Sequence, residues 1–354
     1  MNKILKQCPK LFDIKGERIL IFGGSGSLGR STISRWINDN EIINVSRSED
    51  KQWSLRIFIN NDKLGQIIGD VSNEMDVISS IVKTRPTIIC IFACLKHIDL
   101  CEKQPDKAIK NNTNGIINVY NSLSRYDNNV HTVLFVSTDK ACLPITSYGC
   151  SKALSEFYLQ SIESDKTKYV GIRYGNVLNS SGSIIPYLHS NKETKTPYTL
   201  THEEMTRFIM TLDHSVNLIE YAIINGKSNE IIIPHIQSMK IIDIFSIFEL
   251  KYGKTRVLSG LRCKEKIHED LISPSEATYS YYNKGYYHLT NKVVCGININ
   301  NINNINIKTI QIDDIDGNID GNIDDNIYIK AVNSSMNLIG KEQLKLYLET
   351  NGYL

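Results

Sequence analysis

The run at residues 18–29, RILIFGGSGSLG, decides how the rest of the chain is read. Residues 18–22 form a short apolar stretch that ends in glycines. Gly23, Gly26 and Gly29 are spaced three apart, and residues 27–38 then read as a helix. Glycine permits the tight turn and leaves room for a pyrophosphate against the backbone. The helix N-terminus adds free N–H groups and the positive end of its dipole. A glycine triplet alone is a weak signal, but one between a strand and a helix near the N-terminus is strong. The loop Gly23, Ser25, Gly26, Ser27, Leu28 and Gly29 is therefore expected to hold a dinucleotide.

Working outward, strand-like and helix-like segments alternate. Strands are expected at 41–46, 65–69, 87–92, 132–137 and 169–174, with helices at 74–82, 105–124 and 148–164. Short buried strands alternating with helices predict an α/β fold, a doubly wound parallel sheet of Rossmann type. Beyond residue 176 the alternation weakens. A helix at 213–224 and a strand at 230–234 are expected to return to the sheet. The expected organisation is a cofactor-binding domain at 1–176, joined by about 208–236, and a smaller substrate-binding lobe at 177–354. Residues 296–329, GININNINNINIKTIQIDDIDGNIDGNIDDNIYI, read as a low-complexity insertion. The segment lacks the spacing of a calcium loop, so no metal is expected.

Composition narrows the function classes. Hydrophobic residues make up 41% of the 354, which excludes global disorder. Lys+Arg number 40 against 38 Asp+Glu, a net charge of +2, so no single-sign field invites nucleic acid. A small acidic ligand held by a few local cations fits better. The eight cysteines include no Cys-x-x-Cys pair and read as free thiols of a reducing compartment. The opening residues lack a long apolar segment, and no apolar run reaches bilayer length, so a cytoplasmic protein is expected.

Two further stretches carry chemistry. Tyr148 and Lys152 are four apart on one helix and share a face. A phenol titrates near pH ~10, and a nearby ammonium would favour its anion. Ser137-Thr138-Asp139-Lys140 lies at the end of the fifth strand, where such folds bind ligands. The second strand ends in Ser46-Arg47. An acid there would accept from a ribose 2′-OH, whereas Arg47 suits a 2′-phosphate, which favours NADP over NAD. Asp70 and Val71 close the third strand beside the expected adenine.

Together these motifs resemble the extended short-chain dehydrogenase/reductases. Within them the chain is similar to the short UDP-N-acetylglucosamine 4,6-dehydratases that invert C5. The resemblance rests on Ala93-Cys94-Leu95-Lys96-His97, Ser137-Thr138-Asp139-Lys140-Ala141 and Arg173-Tyr174-Gly175-Asn176-Val177. It continues through Gly182-Ser183-Ile184-Ile185-Pro186, Met205-Thr206-Arg207-Phe208 and Glu230-Ile231-Ile232-Ile233-Pro234. Gly260-Leu261-Arg262 and Glu265-Lys266-Ile267-His268-Glu269 complete it. It runs from about 18 to 289 and resumes near Ser334-Ser335.

The resemblance implies catalytic Thr138, Asp139, Lys140, Tyr148 and Lys152. It implies that Ala93, Lys96 and Asn112 also meet NADP, and that Lys96, Tyr174, Asn176, Arg207, Arg262 and Glu265 hold a UDP-N-acetylhexosamine. Tyr148 would take the 4-OH proton, a neutral Lys140 the C5 proton, and Asp139 would protonate the departing C6 hydroxyl. Family members assemble as homo-oligomers, with no membrane or nucleic-acid partner. The chain departs from the family pattern at Phe22, Cys94, Ser181 and Lys264. A 4-epimerase or 4-reductase would need Tyr148 and Lys152 but give Asp139-Lys140 no role. A catalytically silent NADP-binding regulator would need none of the five.

Overall fold

β1 (Arg18–Phe22) is sealed on both faces, for Ile19, Leu20, Ile21 and Phe22 have no exposed surface. Side chains alternate across a strand, so Leu20 and Phe22 join one core and Ile19 and Ile21 the other. That double burial is the mark of a sheet covered by helices on both sides. The computed structural model describes residues 12–291 and 329–354. The expected 296–329 insertion falls, but for its last residue, outside the described residues.

From β1 the chain runs through α1 (Ser27–Trp36), β2 (Glu41–Ser46), α2 (Glu49–Ile59), β3 (Leu64–Ile68), α3 (Glu74–Thr84) and β4 (Ile88–Ile91). Then come α4 (Ile98–Lys103), α5 (Pro105–Asn112), α6 (Asn114–Arg125), β5 (Thr132–Val136), a 3₁₀ turn (Asp139–Ala141), α7 (Ser147–Ser161) and β6 (Lys168–Ile172). The later elements are β7 (Asn176–Val177), α8 (Ile184–Ser190), β8 (Tyr198–Leu200), β9 (Thr206–Met210), α9 (Leu212–Asn225) and β10 (Ile231–Pro234). After these follow β11 (Ser238–Lys240), α10 (Ile241–Tyr252), β12 (Arg256–Leu258), β13 (Asp270–Ile272), α11 (Pro274–Ala277), β14 (Ser280–Asn283) and β15 (Tyr286–Leu289). β16 (Val332–Asn333) and α12 (Lys341–Thr350) close the chain.

The main sheet has the order β14-β15-β10-β6-β5-β4-β1-β2-β3. From β10 to β3 every pairing is parallel. α3 and α6 cover one face through Val77, Ile81, Ile116 and Val119. α1 and α9 cover the other through Ile33, Trp36, Leu218 and Ile219. A third core, with Leu188, Ile244, Phe248, Leu344 and Leu348, belongs to the smaller lobe. Among the described residues no helix is long and apolar enough to cross a membrane.

The structure departs from the expected elements at three points. First, the lobe expected over 177–354 gives a hairpin, β14 and β15, back to the main sheet. Lys284 and Gly285 turn it with φ of +48° and +88°, and the antiparallel β15 pairs with β10. Buried His288 bonds Glu230 at 2.9 Å, and the Tyr286 ring stacks on Tyr221 at 3.8 Å between centroids. Conversely β9, inside the stretch expected to rejoin the sheet, pairs with β7 and β11 in a separate small sheet. Second, α2 was not anticipated. Gln52 and Leu55 are its buried residues, while Trp53, Ile57 and Phe58 face outward, so its apolar pattern shows no clean helical period. Third, the helix expected at 105–124 is interrupted at Thr113, whose hydroxyl donates to the Ser151 carbonyl at 3.0 Å.

Candidate active site

The loops at the carboxyl ends of β1, β2, β4, β5 and β6 converge along one rim. Gly23 has φ +90°, and a Cβ there would stand 2.6 Å from the Ala93 backbone nitrogen, so only glycine fits. Gly26 caps α1 with no side-chain bond, and the first turn carries no acidic residue. Those free N–H groups and the absence of negative charge suit an anion. Arg47 is mostly exposed and reaches Asn111 Oδ1 at 3.1 Å and Asp70 Oδ2 at 3.4 Å. Ser46 stands half-buried at the end of β2.

Tyr148 and Lys152 come from the first two turns of α7, which Thr146 caps by accepting the Gly149 N–H at 3.0 Å. A Cβ on Gly149 would fall 2.3 Å from the Lys140 carbonyl, so glycine lets α7 close on the 3₁₀ turn. Both functional side chains are buried. The Lys152 ammonium donates to the Val136 carbonyl and lies 4.0 Å from the Phe135 ring centre. Burial pushes its pKa down. Burial also drives the Tyr148 phenol well above its ordinary value, the nearby Cys94 thiol adds to this, and a hydrogen bond with Thr138 opposes it. The net direction is upward, opposite to the lowering expected from Lys152.

Thr138 Oγ1 donates to Asp139 Oδ1 at 2.9 Å. The Lys140 ammonium donates to the same Oδ1 at 3.1 Å and pairs with Glu269 Oε1 at 3.2 Å. Burial pushes the Lys140 pKa down, but Asp139 and Glu269 outweigh it and leave the amine above its ordinary value. This runs against the neutral Lys140 that the resemblance implies. The same rim opens into a cavity of about 700 Å³, a size ordinary for small-ligand sites. Lys96, Lys140, Asn176, Arg207, Arg262, Glu265 and Glu269 all line it.

Arg173, fully buried just after β6, ties α7 to α11 and β13. Its guanidinium bonds Glu156 of α7, Glu276 of α11 at 2.7 Å and the Leu271 carbonyl at 2.8 Å. Removing the cation leaves two carboxylates facing each other in the interior. Arg173→Leu is expected to lower unfolding stability by about 3–5 kcal/mol, read from denaturant melts. The pH dependence has a definite sign. Arg173 holds Glu276 against the opposing effect of burial, so that it titrates at about 2 instead of its usual 4.5. Its stabilisation is complete above 4.5 and is lost as pH falls toward 2. The Arg173→Leu variant should lack this acid limb.

The profile of the family described as polysaccharide biosynthesis protein matches residues 19–291. The chain belongs to that family. A UDP-glucose 4-epimerase of Rickettsia prowazekii is 34% identical over 290 residues, covering 77% of this chain and 82% of that one. The UDP-N-acetylglucosamine 4,6-dehydratase (inverting) of Campylobacter jejuni is 32% identical over 282 residues, with the same coverages of 77% and 82%. Among solved structures, Pen from Bacillus thuringiensis superimposes with a TM-score of 0.82 at 24% identity, over 96% of this chain and 99% of that one. The doubly wound fold of the extended short-chain dehydrogenase/reductases is thereby established for this chain.

In this chain several expected site residues also bond within the protein. Asn112 is buried, and its amide bonds the Leu95 backbone in both directions, at 2.8 and 3.0 Å, and Ser151 at 2.9 Å. It therefore fixes the loop after β4. Val71 sends its side chain into the core, with its carbonyl held by Asn118. Asp70 shapes the turn before α3 by accepting the Ser72 N–H at 2.9 Å. Arg207, expected at a phosphate, donates to the Thr206, Ile267 and Lys266 carbonyls at 2.7, 2.9 and 3.0 Å. Three of its five N–H groups are thereby engaged, and Arg207 still lines the cavity. Tyr174 lies beside Cys94 and Asp139; like Thr138, Asp139, Tyr148 and Lys152, it sits behind the residues that line the cavity.

Two departures from the family pattern find partners. Ser181 meets Ser27 of the glycine loop at 3.0 Å, and its carbonyl takes the Lys96 ammonium at 2.7 Å. Lys264 adopts φ +60° where the pattern has glycine, and its amine bonds Glu102 at 2.6 Å. The residue that sequence reasoning passed over is Glu269. It lay inside a quoted motif, but nothing in its spacing pointed to Lys140, 129 positions away.

Proposed function

We propose that this chain is a nucleotide-sugar enzyme, a UDP-N-acetylglucosamine 4,6-dehydratase that inverts C5 and works with NADP in preference to NAD. The observation that carries the reading is the buried Asp139–Lys140 ion pair, whose lysine lines the cavity, with Thr138 bonded to Asp139 and to the Tyr148 phenol. A 4-epimerase needs the phenol and Lys152 but has no work for that pair. The Campylobacter relative's name supports the dehydratase. The Rickettsia relative's name favours a 4-epimerase, which is the second reading.

The residues after β1 fit a dinucleotide: the close pass of Gly23 and Ala93 and the uncapped start of α1 leave a cradle for a pyrophosphate. A nicotinamide ring, when bound, supplies a hydride acceptor for C4 and a donor for C6. The protein's part is to move protons. Tyr148 takes the proton of the 4-hydroxyl, with Thr138 and Lys152 holding the phenol's surroundings. The resulting 4-ketone acidifies C5–H. Net movement of one proton from Lys140 Nζ to the unpartnered Asp139 Oδ2, with Oδ1 still accepting an Nζ–H, leaves a neutral amine and a carboxylic acid, the two forms the elimination needs. Lys140 then accepts the C5 proton and Asp139 protonates the C6 hydroxyl, which leaves as water. Reprotonation of C5 on the opposite face gives inversion.

Lys96, Asn176, Arg262 and Glu265 of the cavity wall would hold the UDP-sugar. Arg47, exposed at the end of β2, is placed for a 2′-phosphate. Arg47→Ala should weaken NADP binding about tenfold or more while NAD binding changes little, as measured by titration calorimetry. Among the described residues six cysteines are free thiols, which agrees with the cytoplasm. Leu154 and Phe157 on α7 and Ile109 on α5 expose apolar surface for a second copy.

Incubating the protein with UDP-N-acetylglucosamine and NADP should give a product lighter by one water. In deuterated water it should carry deuterium at C5. A product of unchanged mass, epimerised at C4, would establish the second reading instead.

A further inference from the structure

Glu269 enters from the segment before β13, far in sequence from every group around it. Its side chain is almost fully buried, and its backbone is pinned on both sides by Ser334, each bond 2.8 Å long. One oxygen, Oε1, pairs with Lys140 at 3.2 Å, while Oε2 is buried with no hydrogen-bond partner. Asp139 repeats the arrangement: Oδ1 accepts from Lys140 at 3.1 Å and Oδ2 is buried and unpartnered. Two interior carboxylates thus flank one amine. Among the described residues, the other charge against them is Arg207, whose Nε stands 3.9 Å from Glu269 Oε1. The adjacent titratable groups turn elsewhere: His268 bonds Thr206 at 2.8 Å, and Asp270 faces Lys266 at 3.7 Å and Asn333 at 2.7 Å.

We infer that Glu269 is a positioning residue for Lys140: with Asp139 it takes two of the three hydrogen-bond directions of Nζ and leaves the third for the molecule in the cavity. This deepens the dehydratase reading and rests on it for its catalytic meaning. A neutral amine has two N–H bonds and one lone pair. If both N–H bonds are donated to Oδ1 and Oε1, the lone pair occupies the remaining tetrahedral direction. The amine then meets C5–H without searching rotamers, and a flexible four-carbon stem is converted into an aimed base. Glu269 also adds negative charge beside the ammonium. Burial raises the carboxyl's own pKa, and Lys140 and Arg207 oppose that effect only in part.

Two variants separate charge from geometry. Glu269→Gln keeps an oxygen acceptor at the same reach and removes the charge. Glu269→Leu removes both. Protein carrying [ε-13C]lysine, with Lys140→Met to assign the signal, reports the Lys140 titration without any substrate. The midpoint should fall by about one pH unit or more in both variants. With UDP-N-acetylglucosamine, the Leu variant should lose about tenfold or more in kcat and in C5 deuterium exchange, with KM within about twofold, and the Gln variant should retain most of both. A Lys140 midpoint unmoved by Glu269→Gln would overturn the inference, as would wild-type exchange in the Leu variant. Wild-type protein that releases no water would sink the dehydratase reading by itself, and the lysine titration would still decide whether Glu269 governs Lys140.

Discussion

Tyr148→Phe should reduce kcat by about 10²–10⁴-fold while nucleotide-sugar binding survives. The change removes one oxygen from a side chain whose ring is otherwise packed in the interior. Phenylalanine fills the same volume, so the cost in stability is confined to the lost bond with Thr138, about 1 kcal/mol. What disappears is the acceptor for the 4-hydroxyl proton. No neighbour can replace it: Thr138 already donates to Asp139, and Lys152 is turned to the Val136 carbonyl. Because burial drives the phenol upward, the anion formed in wild type is basic and binds its proton firmly. That assists proton removal but requires the buried Lys152 cation close by. Turnover by mass spectrometry and binding by calorimetry give the two halves of the result. Wild-type turnover by the phenylalanine variant would remove Tyr148 from the mechanism under either functional reading.

Lys140→Met should abolish loss of water, with kcat falling by about 10²–10⁴-fold. Unlike Tyr148→Phe, it should leave the first proton transfer in place. Asp139 and Glu269 lose the cation between them, and two buried carboxylates then share a site. One of them should take up a proton, so the variant remains folded near neutral pH and loses stability as pH rises. The discriminating measurement is the substrate's C4 hydrogen: its transfer out of the sugar should persist while deuterium no longer enters C5. If the second reading held and the chain were a 4-epimerase, Lys140→Met would leave turnover nearly unchanged, because epimerisation moves no proton at C5.

Much of the fold was legible because its signals are local. The run from Arg18 to Gly29 carries an apolar strand, a glycine turn and a helix start within twelve residues, and each depends on backbone sterics that neighbours set. The parallel strands β2, β4, β5 and β6 announced themselves as short apolar runs, because a sheet buried on both faces tolerates little else. α2 did not, since its outward Trp53, Ile57 and Phe58 blur the one stripe that would betray it. The β14–β15 hairpin carried a legible Lys284-Gly285 turn, but nothing local says which sheet a hairpin will join.

For the site, sequence determined the inventory: a glycine loop, Tyr148 and Lys152 one helical turn apart, and Thr138, Asp139 and Lys140 in succession after a strand. Those groups lie within a few residues of one another, so helix and strand geometry fixes their neighbourhood in advance. Tertiary structure alone decided their state. It brought Glu269 to Lys140 from 129 residues away and thereby reversed the expected shift of the amine. It also bonded Asn112 and Arg207 to backbone carbonyls and tied α7 to the core through Arg173. A pKa depends on desolvation and on charges within a few ångströms, and both are properties of packed space. Distance along the chain carries no information about either.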